Sequence, residues 1–139
     1  MSKTKSKSKK SQEIPKTVIF TAQFLDKIST RLAVLFAAKL FTTPIKYKMP
    51  RREFEMNKKS LQTPLHIPQI NKDIVVYEWG NSKKKVLLVH GWSGRGTQLC
   101  KIAESLVNKG YSVVSFDAPA HGKSAGNSSI MLEFIASIK

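Results

Sequence analysis

The stretch VLLVHGWSGRGTQLCKIAESLVNKGYSVVSFDAPAHGKSAG, residues 86–126, decides the fold of this chain. Its apolar run Val86–Val89 predicts a strand that is buried on both faces. A turn with three glycines follows over 90–96, and apolar residues at helical spacing then predict a helix over Thr97–Asn108. The β-rich run Ser112–Phe116 predicts a second strand. Two strands joined by a helix form a parallel crossover unit, so the sequence predicts an α/β fold.

Two further strands are predicted immediately before this unit. Leu65–Ile70 and Ile74–Trp79 are rich in β-branched and aromatic residues, and Asn71-Lys72-Asp73 between them is typical of a turn. The two runs therefore predict a β-hairpin, and Pro68 places its first strand at the edge of the sheet. After the unit, apolar residues at helical spacing predict a helix over Ile130–Ile138.

The N-terminal part of the chain has a different character. Residues 1–15 are a Lys/Ser-rich segment that predicts a disordered tail, and residues 16–59 predict an amphipathic helix followed by a charged connector over 46–59. The helix candidate covers 14–43 and ends at Thr43-Pro44, because the residue before a proline avoids the α region. Its longest apolar run, Leu32–Ala38, is too short to cross a membrane. The helix either packs on the domain formed by residues 60–139 or lies on a membrane surface.

The charge of the chain is strongly basic. It has 24 Lys and Arg against 9 Asp and Glu, a net charge of +15, and 15 of the basic residues lie within residues 1–59. The basic tail predicts weak contact with an anionic surface, but no aromatic residues are interleaved in it, so no specific nucleic-acid binding is predicted. The single cysteine, Cys100, excludes an internal disulfide and indicates a reducing compartment. The expected location is cytoplasmic, with attachment to the membrane periphery as the second option.

Two nucleotide-binding interpretations can be tested on residues 86–126. Gly122-Lys123-Ser124 ends like a P-loop, but Asp117 stands where the first glycine belongs, and a carboxylate there would repel phosphate. A dinucleotide-binding crossover would use Gly91, Gly94 and Gly96 for the pyrophosphate and Asp117 for the ribose. Its glycine spacing is G-x-x-G-x-G where G-x-G-x-x-G is expected, and it leaves His90 without a role. It remains an alternative.

Two linked motifs carry a resemblance to a known family. VLLVHGWSG followed by FDAPAHGKSAG resembles the His-Gly oxyanion segment and the Asp-x-Pro-x-His-Gly-x-Ser loop of α/β-hydrolase-fold enzymes, over about residues 65–139. The resemblance implies that residues 60–139 are an incomplete α/β-hydrolase domain, a hairpin plus a parallel crossover, preceded by a helix and a basic tail. It implies a hydrolase of the esterase or acyl-hydrolase type with a small-molecule acyl substrate. It implies no metal and no organic cofactor.

The resemblance also implies roles for five residues. Trp92 would donate its main-chain N–H to the oxyanion of an acyl-transfer reaction, and Gly91 would allow the sharp turn. The Trp92 side chain would either line the acyl pocket or pack beneath a lid. His90, Asp117 and His121 would support the loops and take no direct part in catalysis.

The sequence Gly122-Lys123-Ser124-Ala125-Gly126 satisfies the pattern G-x-S-x-G, but its context is wrong for a nucleophile elbow. An elbow needs a strand leading directly into the first glycine, and Asp117–His121 separates the two here. We therefore expect an oxyanion segment without a catalytic triad, with the serine nucleophile beyond residue 139, so that this chain is a catalytically incomplete N-terminal fragment. The alternative outside enzymes is a basic protein that binds membrane surfaces or nucleic acid through residues 1–59.

Overall fold

The computed structural model describes residues 14–139, so residues 1–13 of the tail predicted over 1–15 lie outside the described residues. A boundary between Ala38 and Lys39 divides the chain into two compact units. The helices are α1 (Lys16–Ile28), α2 (Thr30–Thr42), α3 (Phe54–Lys59), α4 (Cys100–Asn108) and α5 (Met131–Ile138), and the strands are β1 (Leu61–Ile67), β2 (Lys72–Trp79), β3 (Lys85–Leu88) and β4 (Ser112–Asp117). None of the helices within residues 14–139 is long and apolar enough to cross a membrane.

The strands form one sheet in the order β1-β2-β4-β3. β1 and β2 pair antiparallel as a hairpin, β2 and β4 pair antiparallel, and β3 and β4 pair parallel across the connection that contains α4. This arrangement confirms the predicted hairpin and the predicted parallel crossover. Within the described sheet β3 lies at an edge, with the side chains of Leu87 and Val89 exposed.

The hairpin differs from its prediction in the bounds of its first strand and of its turn. β1 begins four residues earlier than expected and ends at Ile67, and the turn covers 68–71, where we predicted 71–73. Pro68 starts this turn: the Ile70 N–H donates to the Ile67 carbonyl and the Asn71 N–H donates to the Pro68 carbonyl. The sheet tolerates Pro64 inside β1 because β1 is an edge strand and one of its sides needs no hydrogen-bond donor.

Two apolar clusters lie on opposite faces of the sheet, because successive strand residues point to alternate faces. One contains Tyr77 and Trp79 of β2 with Val113 of β4, and it is covered by α4 and by Met56 of α3. The other contains Ile74 and Phe116, and Phe134 of α5 covers it. These packings place the loops that follow β3 and β4 side by side at the carboxyl ends of two parallel strands, where α/β sheets bind their ligands.

Two predicted elements are wrong in the N-terminal part. The single helix predicted over 14–43 is two helices, because Ser29 is extended, with its N–H donating to the Leu25 carbonyl and its own carbonyl accepting the N–H groups of Leu32 and Ala33. The connector predicted over 46–59 contains a 3-10 turn, Arg51–Glu53, followed by α3. This segment buries two side chains that lie three residues apart, those of Glu53 and Met56. The helical pattern was not visible in the sequence because the first of them is a carboxylate.

Candidate oxyanion site

The turn that follows β3 carries the predicted oxyanion donor. Among the hydrogen bonds of residues 14–139, none uses the main-chain N–H of Trp92. A Cβ atom added at Gly91 would meet nothing within 4 Å, so the backbone beside this N–H faces open space. Gly91 is the first residue of the turn, and the left-handed residue in it is Ser93, with φ 54°. Gly91 also leaves room beside the donor.

The rest of the turn is held tightly from both sides. The Gly94 N–H donates to the Gly91 carbonyl at 2.9 Å, and the Ile45 N–H donates to Ser93 Oγ at 3.0 Å. A side chain at Gly94 would collide with Gln98, with the Gly91 carbonyl and with the His90 ring. The donor loop is therefore preorganised, as stabilisation of a developing charge requires.

His90 links this turn to the loop after β4. Its Nε2 accepts the Ala118 N–H at 3.1 Å, which leaves Nδ1 to donate to the Gly91 carbonyl at 2.7 Å. Both ring nitrogens are thus engaged with backbone, and the ring is buried. This geometry gives His90 a supporting contact on each loop and leaves no nitrogen free to act as a catalytic base.

Asp117, the last residue of β4, holds three parts of the structure together. Its Oδ1 accepts the Gly96 N–H at 2.6 Å, and its Oδ2 accepts the Tyr77 hydroxyl at 2.8 Å and the Lys123 N–H at 2.7 Å. The carboxylate is fully buried. Burial and the neighbouring carboxylate raise the pKa of Tyr77, so its hydroxyl remains a neutral donor. Because both carboxylate oxygens are used inside the protein, Asp117 is not available to bind a ribose, and the dinucleotide-binding alternative loses its acidic residue.

His121 lies beneath the turn, in contact with three aromatic rings. Its ring centroid is 5.1 Å from those of Trp92, His90 and Phe134. Its Nδ1 lies 2.9 Å from the Pro119 carbonyl and donates to it, and its Nε2 is buried with no hydrogen-bond partner among the described residues. His121 is therefore a neutral ring that packs under the Trp92 indole.

The two buried histidines predict a pH dependence of stability. Burial lowers the pKa of both His90 and His121 below the ordinary value of about 6.5. The unfolded chain therefore takes up protons before the folded chain does, and the free energy of unfolding falls as the pH decreases below about 6.5. Denaturation with guanidinium at pH 7.5, 6.5 and 5.5 measures this slope. We expect His121→Gln to reduce the slope, and an unchanged slope in both His121→Gln and His90→Gln would contradict the assignment.

The Trp92 side chain packs against its neighbours on one side and remains open on the other. Its indole stacks on Phe41, with ring centroids 6.2 Å apart and an interplanar angle of 14°, and it is 47% exposed. Phe41 follows Lys39 and Leu40 at the start of the second unit. The segment that precedes the sheet thus covers one face of the indole, and the other contacts of the ring are with His121 and Phe134.

Sequence reasoning missed a buried carboxylate below the same loop. Glu53 Oε2 accepts the Thr97 hydroxyl at 2.7 Å and lies 3.7 Å from Arg95 Nε, and both Glu53 and Thr97 are buried. No signal distinguished Glu53 from Glu55, two residues later in the same charged run, which is exposed. Tyr77 was also missed, although its position in the alternating pattern of β2 indicated an inward-facing side chain.

Ser124 has a structural position, as its sequence context indicated. Its Oγ donates to the Asp117 carbonyl at 2.5 Å and accepts the Val75 N–H at 2.9 Å, and it is buried. The neighbouring Lys123 Nζ donates to Gln62 and Asn57, away from any phosphate-binding loop. Neither a nucleophile elbow nor a P-loop is formed there.

No Ser-His-Asp arrangement is formed by the part of the chain that the structure describes. The chain has three histidines, and two of them are the buried His90 and His121. The third, His66, is exposed at the sheet edge, where its Nδ1 lies 2.6 Å from Asp73 Oδ1. Within residues 14–139, no group of three or more His, Cys, Asp or Glu side chains is placed to hold a metal ion.

Solved structures that superpose on this chain identify its fold. An esterase from Pyrococcus furiosus superposes with a TM-score of 0.55 at 21% identity, over 69% of this chain and 40% of that one. This chain has the α/β-hydrolase fold. An esterase from Exiguobacterium antarcticum (TM-score 0.51, 21% identity, 56% and 29% of the two chains) and an epoxide hydrolase from Vigna radiata (0.51, 18%, 58% and 27%) share it. No protein-family model matches the chain, and no curated protein is significantly similar to it in sequence.

The α/β-hydrolase match covers a limited part of the proteins compared. The chain spans between 27% and 40% of the length of these three solved structures. The hairpin and the crossover observed here are the N-terminal portion of the α/β-hydrolase sheet.

Proposed function

We propose that this α/β-hydrolase chain provides the oxyanion-binding loop of an enzyme that hydrolyses carboxylic esters by acyl transfer to water. The observation that carries the proposal is the Trp92 N–H, which has no partner among the described residues and stands beside the open space at Gly91. Two of the structures that share the fold are named esterases, which favours this reaction class.

In the proposed reaction, the main-chain N–H of Trp92 donates a hydrogen bond to the carbonyl oxygen of the substrate. When a nucleophile attacks an ester carbonyl, negative charge develops on the carbonyl oxygen, and a fixed N–H about 3 Å away stabilises it. Removal of one such donor typically costs about 3 kcal/mol of transition-state stabilisation. His90 and Asp117 hold the loop before the charge develops, so little reorganisation is needed during the reaction.

The proposal requires a nucleophile, a base and an acid in addition to this loop, because the described residues form no Ser-His-Asp arrangement. In this fold the nucleophile follows a further strand, and the acid and the histidine come later in the chain. Such a strand could form backbone hydrogen bonds with the outer edge of β3, because this edge is unpaired in the described sheet. The proposed substrate is a small-molecule ester, and its acyl group would lie over Gly91 next to the Trp92 indole.

The test first sequences the coding DNA beyond codon 139, and then compares the 139-residue chain with the full polypeptide that this DNA encodes, using p-nitrophenyl acetate and butyrate. We expect hydrolysis by the full polypeptide and none by the 139 residues alone. In the full polypeptide, Trp92→Pro deletes the N–H and should lower kcat on the order of 100-fold, whereas Trp92→Ala, the matched control, retains the N–H and should lower it far less.

A third variant tests the open space directly. Gly91→Ala adds a methyl group that meets no protein atom within 4 Å, so the thermal unfolding temperature should not change, while kcat/KM for the ester should fall. Equal kcat values for Trp92→Pro and Trp92→Ala, with both variants folded, would contradict the oxyanion role. Hydrolysis by the 139 residues that disappears in Ser124→Ala would overturn the assignment of Ser124 as structural.

A further inference from the structure

Helices α1 and α2 expose most of their large apolar side chains. Neither helix has a buried residue. Phe20 and Phe24 of α1 are 71% and 55% exposed, and other exposed apolar residues of the N-terminal unit are Ile14, Ile19, Ile28, Leu32, Val34 and Leu35. Such a concentration of exposed apolar side chains indicates an interaction surface, since isolated exposed residues would need no partner.

Basic residues border this apolar surface. Lys16, Phe20, Phe24 and Ile28 follow one another at four-residue intervals, so they form a stripe along α1, and Lys27 lies beside Phe24 on the same side of the helix. The two helices contain Lys16, Lys27, Arg31 and Lys39 but a single acidic residue, Asp26. Phenylalanine side chains between lysines whose ammonium groups extend outward are typical of helices that lie in a membrane interface.

We propose that α1 and the beginning of α2 bind the surface of an anionic membrane, with the Phe20–Phe24–Ile28 stripe inserted at the boundary between headgroups and acyl chains. Each helix has 13 residues, or about 20 Å, and lies in the plane of the surface. Anionic headgroups complement the cations of these helices, and each basic residue near such a surface adds to the attraction. A second copy of the chain is the less favourable occupant, because it would bring the same cations against one another.

The experiment measures binding of the 139-residue chain to large unilamellar vesicles by flotation. The vesicles contain either phosphatidylcholine alone or a 70:30 mixture of phosphatidylcholine and phosphatidylserine. We expect binding to the mixed vesicles, and weaker binding both to phosphatidylcholine alone and at high salt. Because no ester enters this assay, its result is independent of the proposed enzymatic function.

Two matched pairs of variants assign the binding to these helices. Phe20→Ser/Phe24→Ser should weaken partitioning into mixed vesicles roughly tenfold or more, whereas Phe54→Ser in α3, where Phe54 is 51% exposed, should leave it unchanged. Lys16→Gln/Lys27→Gln should weaken it severalfold, with Lys58→Gln/Lys59→Gln in α3 as the control for an equal change of charge. Far-UV circular dichroism and Trp79 fluorescence verify that each variant is folded.

Three results would overturn the proposal. The first is the absence of binding to mixed vesicles. The second is equal binding by Phe20→Ser/Phe24→Ser and the wild type, which would assign binding to the lysines of the tail. The third is a Phe20→Ser/Phe24→Ser variant that changes from oligomer to monomer in lipid-free buffer while vesicle binding persists, which would make the apolar stripe a contact between two copies.

Discussion

Replacement of Asp117 by alanine is expected to lower the free energy of unfolding by about 4 kcal/mol or more, close to the whole stability of a small domain. The substitution leaves the buried Gly96 N–H, the buried Tyr77 hydroxyl and the partly buried Lys123 N–H without their acceptor. Each buried donor without a partner costs about 1–3 kcal/mol, and the side chain of Asp117 is fully buried. Unfolding in guanidinium, followed by tryptophan fluorescence, to which the buried Trp79 contributes, measures the change.

Two controls separate the Asp117 network from general effects of the substitution. Asp73→Ala removes an exposed carboxylate of β2, whose Oδ1 lies 2.6 Å from His66 Nδ1, and should change stability by less than about 1 kcal/mol. Tyr77→Phe removes one of the three donors together with its need for an acceptor and should cost about 1 kcal/mol. An Asp117→Ala variant as stable as Asp73→Ala would contradict the role assigned to this carboxylate.

Gly122→Ala is expected to be the other strongly destabilising substitution, with a loss of about 3 kcal/mol or more. A Cβ at Gly122 would overlap the Asp117 carboxylate, and the three hydrogen bonds of that carboxylate prevent it from moving aside. Gly122 also has a positive φ of 45°, which is strained for alanine. Guanidinium unfolding again provides the measurement.

The chain offers a matched control for the backbone part of this effect. Gly110 has φ 81°, and a Cβ there would meet nothing within 4 Å, so Gly110→Ala suffers only the strain of the left-handed backbone, about 1–2 kcal/mol. The difference between the two variants measures the collision with Asp117. In addition, the effects of Asp117→Ala and Gly122→Ala should not be additive, because the first removes the atoms with which the second collides. Equal losses at Gly110 and Gly122 would contradict this account.

Local pattern predicted much of the sheet. The strands β3 and β4 were predicted from apolar runs, and α4 was predicted from helical spacing and from the glycine after it. All of these signals lie within a few residues of one another. The parallel pairing of β3 with β4 confirms the predicted crossover. The break at Ser29 was missed because neither proline nor glycine marks it. The turn of the hairpin was misplaced because Pro68 was interpreted as an edge marker and not as the first residue of a turn.

The candidate site was predicted unevenly. The motifs directed attention to His90, Trp92, Asp117 and His121, and the structure brings these residues together at the ends of β3 and β4. The role of Trp92 as an oxyanion donor stays a prediction. Glu53 was not predicted, because its partner Thr97 lies 44 residues away in the chain and no spacing rule connects them.

The sequence by itself determined the hairpin, the crossover, the helix after it and the two loop motifs, because periodicity and turn chemistry act between neighbours in the chain. Only the tertiary structure decided where the buried charges find partners. The Asp117 carboxylate meets the Tyr77 hydroxyl across 40 residues, and Ser124 meets the Val75 N–H across 49, so both become internal supports. Burial requires every polar group to find a partner, and the choice of that partner depends on which segments the fold brings within about 3 Å.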